Sequence, residues 1–276
     1  MAAPVTPVRI IRHDAGSERG TDDILVTEEP LEIRIGHGPL EDRKEMRLSV
    51  TMRTPGHDEE LALGFLFTEG IITDPTEVLR MVHCADVKPE ERGNVVRVEV
   101  RPEVALDPAR WQRNFYTTSS CGVCGKSSLE AVHAQRQRRI TPWGPVDPAI
   151  TTALPSRMRE AQTVFRHTGG IHAAALFDRA GKLLLLREDI GRHNAVDKVI
   201  GEALRSGHAL ATSQLLVSGR AGFELVQKCV VAGIPMMAAV GAPSSLAVSL
   251  ARSSGLTLIG FLRDGRYNTY SSGEKP

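Results

Sequence analysis

The chain of 276 residues has no excess of either charge, with 34 lysines and arginines against 33 aspartates and glutamates. That balance offers a nucleic-acid polyanion or an anionic membrane nothing to hold, so neither is expected as a partner, although a local basic site stays open. Long apolar runs are also missing. The longest mainly apolar stretch, residues 230–242, is interrupted by Gly233 and Pro235 and is too short to cross a bilayer. The first residues contain no apolar signal-peptide core, which makes a cytoplasmic protein the expectation. Cysteine is sparse: four residues cannot staple a chain of this size, so a disulfide scaffold is excluded. Two of them, Cys121 and Cys124, stand three apart, a spacing that points to metal or redox work in a reducing compartment, whereas Cys84 and Cys229 look incidental. Internal repeats and low-complexity segments are absent.

What is present is 41% hydrophobic content, enough for the core of one large domain or two small ones. Residues 1–22 carry Pro, Gly and charge with little periodicity, so mobility is expected there beyond a short strand near residues 8–12. Apolar and polar residues alternate in 31–35, 47–53 and 95–100, three half-buried strands of a small sheet. After Pro55, the acidic Asp58, Glu59 and Glu60 open a helical run through Leu61, Phe65 and Leu66 that Gly70 ends. Residues 23–112 are therefore read as a small α+β domain, closed by a proline-bearing connection from 101 to 111.

From Thr163 onward the pattern changes. Residues 173–177 and 183–186 read as a hairpin about an Asp178–Gly181 turn, and Asn194 is the predicted N-cap of a helix closed by Gly207. Strands at 214–218, 234–240 and 257–262 then alternate with helices at 223–232 and after Ser244. Such alternation predicts an α/β domain over 113–276, a largely parallel or mixed sheet with helices on both faces and ligands outside the carboxyl ends of its strands. Gly219-Arg220-Ala221-Gly222 falls at such an end, where Arg220 is either a phosphate contact or part of a tight turn.

The sharpest chemical feature is "TTSSCGVCGKSS" at 117–128, followed by a helical pattern. A thiolate is favoured by a helix N-terminus and by nearby cations, here Lys126, Arg136, Arg138 and Arg139, while Gly122 and Gly125 permit the tight backbone that exposes it. Such a sulfur can accept and release sulfane sulfur as a persulfide. Structural zinc lacks its second ligand pair, with only His133 nearby, and a thioredoxin-like pair would sit near the start of a βαβ unit. A zinc deaminase needs H-x-E ahead of P-C-x-x-C; here His172-Ala173-Ala174 follows the cysteines and no proline precedes Cys121. Asp189, Arg192, His193 and Asn194 form a polar cluster in which His193 can donate to a phosphate, shuttle protons or serve only as a bonded loop residue. His167 and His172 flank Gly169-Gly170 and either line a cavity or, for His172, pack in the core.

Six blocks together resemble one family. They are "TPGHDEELALGFLFTEGII" at 54–72, the cysteine block, "FRHTGGIHAAALFD" at 165–178, "REDIGRHNAVDKVIG" at 187–201, "VSGRAGFELVQK" at 217–228 and "LIGFLRDGRYNTYS" at 258–271. In this order the chain is similar to the FdhD (NarQ) family of formate dehydrogenase accessory sulfurtransferases. The resemblance implies a cytidine-deaminase-like three-layer sandwich and a homodimer. It implies, too, that a cysteine desulfurase loads sulfur onto Cys121, with Cys124 relaying or assisting. The acceptor it implies is the molybdenum cofactor in its bis(molybdopterin guanine dinucleotide) form, a bound substrate that a guanine nucleotide can mimic, on its way to formate dehydrogenase.

The same resemblance places cofactor contacts at Phe261, Leu262, Arg263, Asp264, Gly265 and Arg266, and the chemistry of Arg220, Arg192 and His193 makes them further candidates. Their chemistry agrees, because arginines grip phosphates bidentately, a carboxylate accepts from guanine N–H groups, and glycine lets backbone approach a ligand. A solvated turn after the last strand is the plain alternative. Two other functions stay open, a non-catalytic escort for the cofactor and a dithiol redox protein with a reversible Cys121–Cys124 disulfide.

Overall fold

The computed structural model of the chain describes residues 2–106 and 140–273. The strands number twelve among these residues: β1 (Val5–Asp14), β2 (Ser17–Val26), β3 (Glu29–His37), β4 (Lys44–Arg53), β5 (Val78–His83), β6 (Val95–Val100), β7 (His172–Phe177), β8 (Leu183–Asp189), β9 (Gln214–Val217), β10 (Met236–Ala239), β11 (Thr257–Arg263) and β12 (Arg266–Ser272). The helices are α1 (Asp58–Thr68), α2 (Pro148–Ala161), α3 (Thr163–Thr168), α4 (Arg192–Arg205), α5 (Phe223–Ala232) and α6 (Ser245–Ser254).

Six strands form a mixed sheet in the order β12-β11-β10-β9-β7-β8, parallel from β9 to β11 and antiparallel at both flanks. Side chains alternate across it, as the two-residue period of a strand requires. Ala174, Leu176, Leu215, Val217, Met237 and Leu258 face a core shared with α4, α5 and α6. Ala173, Ala175, Phe177, Leu216, Met236 and Ile259 face Leu154 and Met158 of α2 on the other side. The expected three layers, with helices on both faces, are what the chain builds.

The predicted strands at 31–35, 47–53 and 95–100 lie within β3, β4 and β6 and share one sheet, ordered β4-β3-β6-β5. Its inner side chains, among them Leu31, Ile33, Leu48, Val96 and Val98, pack against α1 in the same core that holds α4 and α5. Helix α1 buries nine of its eleven residues, so it is an internal element between the two sheets. Its close neighbour is α4, and glycine makes the approach possible. A Cβ on Gly64 would stand 1.9 Å from the Asp197 carbonyl oxygen, and one on Gly201 would stand 1.9 Å from that of Glu60. Gly70, at φ +71°, ends α1 as expected, with the Ile71 amide donating back to Leu66.

Charged groups border this contact. Lys228 of α5 lies 2.9 Å from Asp197 of α4 and donates to Thr68 of α1. Arg187 of β8 makes two hydrogen bonds to the buried Glu60 of α1, and Arg53 of β4 binds the buried Asp58 in the same two-pronged way.

Three expectations change. The segment read as mobile beyond a short strand instead holds a ten-rung antiparallel hairpin of β1 and β2, whose Ala15 and Gly16 both have positive φ. That geometry belongs to the tight primed turns that suit strand twist, and Ala-Gly lacks the usual Asn-Gly signature. Asn194 is not a cap: α4 starts two residues earlier behind Gly191, and Asn194 is buried inside it. The chain does not end its sheet at residue 262; β12 returns antiparallel to β11.

Burial works to raise the Glu60 carboxyl, but hydrogen bonds and charge from His57 and Arg187 overcome it and hold the group at about 2, from an ordinary 4.5. A folded value below the unfolded one means that the contribution is complete above the unfolded value and fades as pH falls toward about 2. Glu60→Gln is therefore expected to cost about 3 kcal/mol in urea unfolding near neutral pH and almost nothing near pH 2. An equal cost at both pH values contradicts this assignment.

Candidate functional site

The parallel strands β9, β10 and β11 end on one edge of the sheet, where loops from neighbouring elements meet. The three ends are laced together by backbone: the Gly241 amide donates to Gly219 at 2.9 Å, and the Phe261 amide donates to Gly241 at 3.0 Å. A Cβ on Gly241 would lie 2.9 Å from the Gly219 oxygen and 3.0 Å from the Arg220 Cα, so this tight weave admits only glycine there. Ser218 ties the ladder to β7, its hydroxyl accepting from the Ala173 amide at 2.9 Å.

Onto this edge the fold directs cationic side chains. Arg220 is exposed at the end of β9, Arg192 and His193 open α4, and Arg263 and Arg266 flank the turn from β11 to β12. No acidic side chain among the described residues forms an ion pair with any of the four arginines. His193 differs: its Nε2 lies 2.7 Å from a carboxylate oxygen of Glu224, in the first turn of α5. The other oxygen of Glu224 is buried without a hydrogen-bond partner among the described residues. Glu224 escaped the sequence reading because its partner is 31 positions away, and only an acidic first turn behind Gly222 hinted at it.

Asp189, fully buried at the end of β8, sets the geometry beneath. One oxygen accepts from the Gly191 amide at 2.8 Å and the Asn194 side chain at 3.1 Å. The other accepts from the Thr54 amide and lies 2.7 Å from Lys198. Asn194 also donates to the Met52 carbonyl of β4 and accepts from Thr51. Asp189 and Asn194 of the predicted cluster are thus structural, while Arg192 and His193 between them are half-buried at the start of α4.

Phe261, Arg263, Asp264, Gly265 and Arg266 lie at or beside the hairpin turn, and all five are exposed. Leu262 points the other way, into the core with Met236 and Ile259, which limits any part it plays to its backbone. Phe261 has φ +51° and a 41% exposed ring. Aromatic residues rarely occupy that left-handed region, and such strain persists where the surroundings enforce it. His172 is half-buried at the start of β7 on the same edge, outside the core, whereas His167 sits exposed on α3. Cys121, Cys124 and the cations around them lie outside the described residues. Of the other cysteines, Cys229 is fully buried and its thiol is pushed far up by desolvation; Cys84 is raised too, chiefly by burial. Neither makes a good nucleophile. Among the described residues no helix is long and apolar enough to cross a membrane, and no cluster of three His, Cys, Asp or Glu is placed to hold a metal ion.

A mixed sheet covered by helices on both faces, with arginines at its parallel strand ends that form no ion pair among the described residues, defines an α/β protein. The profile of the FdhD/NarQ family matches residues 26–276, and the chain belongs to that family. It is 51% identical over 268 residues to the "Sulfur carrier protein FdhD" of Streptomyces avermitilis, covering 95% of this chain and 92% of the relative. The protein of the same name from Mycobacterium tuberculosis is 49% identical, with 98% of each chain covered. A crystal structure of a proposed formate dehydrogenase accessory protein from Desulfotalea psychrophila shares the fold, at TM-score 0.76 and 24% identity over 97% of both chains.

Phe261→Gly removes the left-handed strain together with the ring. Thermal unfolding is expected to show stability unchanged or raised by about 1 kcal/mol. A marked loss of stability would make Phe261 a packing residue instead.

Proposed function

We propose that the chain is a sulfur carrier that takes persulfide sulfur from a cysteine desulfurase. It passes that sulfur to the molybdenum cofactor, bis(molybdopterin guanine dinucleotide), before the cofactor enters formate dehydrogenase. The observation that carries this reading is near-full-length identity of about half to proteins named sulfur carrier, in a chain that keeps both Cys121 and Cys124. In the loading step the Cys121 thiolate attacks the outer sulfur of the donor persulfide. A new S–S bond forms on Cys121, the donor S–S bond breaks, and the donor departs as thiolate. Cys124 relays the sulfur or assists its release.

The cofactor is the cargo, and the strand-end rim supplies groups that suit it. Arg192, Arg220, Arg263 and Arg266 can hold its phosphates, the Asp264 carboxylate can accept from guanine, and the exposed Phe261 ring can lie against a base. His193, held by Glu224, stands where a phosphate contact or a proton donor is wanted. A free guanine nucleotide should occupy the same rim. The protein acts in the cytoplasm, as a homodimer.

Intact mass after incubation with a cysteine desulfurase and cysteine is expected to rise by about one sulfur atom, and the gain should vanish in Cys121→Ala. It should survive in a Cys84→Ser/Cys229→Ser variant, since both of those thiols are raised by burial. A gain that persists without Cys121, or full maturation of formate dehydrogenase in a strain lacking both Cys121 and Cys124, overturns the carrier mechanism.

A further inference from the structure

His172, read from the sequence as lining a cavity or packing in the core, stands half-buried at the strand-end rim. It opens β7 opposite Asp189 in the β7–β8 register. A Cβ on Gly219 would lie 3.5 Å from its Nδ1 and 3.6 Å from its Cε1, so the bare glycine leaves the ring face against the end of β9. The half-buried imidazole makes no hydrogen bond among the described residues.

The charges around the ring come from two elements. From α4 come Arg192 and His193, and from the end of β8 comes Asp189; the β9 side presents the uncharged Gly219. Asp189 is already engaged by Lys198, the Thr54 and Gly191 amides and Asn194, so it has little attraction left for a second cation. Burial and Arg192 together push the His172 ring below its ordinary value, against the weaker pull of Asp189. An arriving phosphate would reverse that balance. It would neutralise Arg192 and set negative charge beside an imidazole that has no hydrogen-bond partner among the described residues.

We propose that His172 is a further member of the anion site, a ring that takes up one proton from solvent as phosphate binds and so ties ligand affinity to pH. The proposal rests on the strand-end rim being the phosphate site. The uptake balances simply: the ring gains one proton and one positive charge, the buffer loses one proton, and no covalent bond to the ligand forms. Binding then weakens with rising pH, by up to about tenfold per pH unit between the ring's free value and its raised, ligand-bound value.

The test uses the full chain and guanosine diphosphate. Calorimetric titrations in buffers of differing ionisation enthalpy count the protons bound per nucleotide, and His172→Gln subtracts the nucleotide's own titration. Wild type is expected to take up more protons than the variant, and its Kd is expected to climb more steeply with pH. Equal proton counts and equal slopes overturn the role of His172 and leave the rim standing as a phosphate site. Failure of the nucleotide to bind either protein removes the phosphate-site reading, and this proposal with it. Should the variant fold poorly, the imidazole carbon resonance of His172 in carbon-13-histidine-labelled wild type decides. A protonated shift at saturating nucleotide near pH 7 supports the proposal, and a neutral one overturns it.

Discussion

The contact of α1 with α4 is the constraint on which the remainder depends. Two helix backbones meet there at Gly64 and Gly201, at a distance no side chain could share. Close approach of this kind brings backbone dipoles and charged neighbours into a dry space, where each polar group needs a partner. Partners are supplied from both sides: Lys228 and Thr68 for Asp197, Arg187 and His57 for Glu60, and Lys198 with Thr54 for Asp189. Removing one member of such a pair strands the other in the interior, which is why these contacts hold register more than they add stability. The four-stranded sheet, carried on α1, and the six-stranded sheet, covered by α4, are joined into one core.

The seam also sets the rim. Helix α4 begins with Arg192 and His193, and its start is fixed from below by Asp189 and from the side by Asn194, which reaches the β4 backbone. Arg192 and His193 are thereby presented beside the strand ends that Gly219, Gly241 and Phe261 lace together. Glu224 holds His193 from α5. A ligand at this edge meets groups anchored on rigid elements, the arrangement that gives precise recognition.

Much of the fold was legible because its elements obey local rules. Residues 214–263 alternate strand and helix, Ser244 caps α6 through the Ala247 amide, and Gly70 closes α1. Where local rules were silent or mixed, the reading failed. Helix α2 contains Pro155 and several hydroxyl residues, and β12 is a mostly exposed strand that exists because β11 offers it an edge. Asn194 has the chemistry of a cap, but it spends that chemistry on β4, a strand more than 140 positions away in the chain. The site was legible as a set of residue types rather than as a geometry. Arg192 and His193 open α4, Arg220 follows β9 and Gly265 lies in the turn after β11, whereas Leu262 turns inward. Glu224 needed the three-dimensional neighbourhood, since its partner His193 lies far from it in sequence.

Native-state hydrogen exchange followed by mass spectrometry asks directly whether the seam makes one cooperative body. Backbone amides of β3 and α1 should open with the same free energy as those of α4 and β9, within about 1 kcal/mol, and lose that protection together in rising denaturant. If the β3–β6 sheet exchanges several kcal/mol more easily while α4 and β9 stay protected, the two halves fold separately, and the seam does not hold the rim in place.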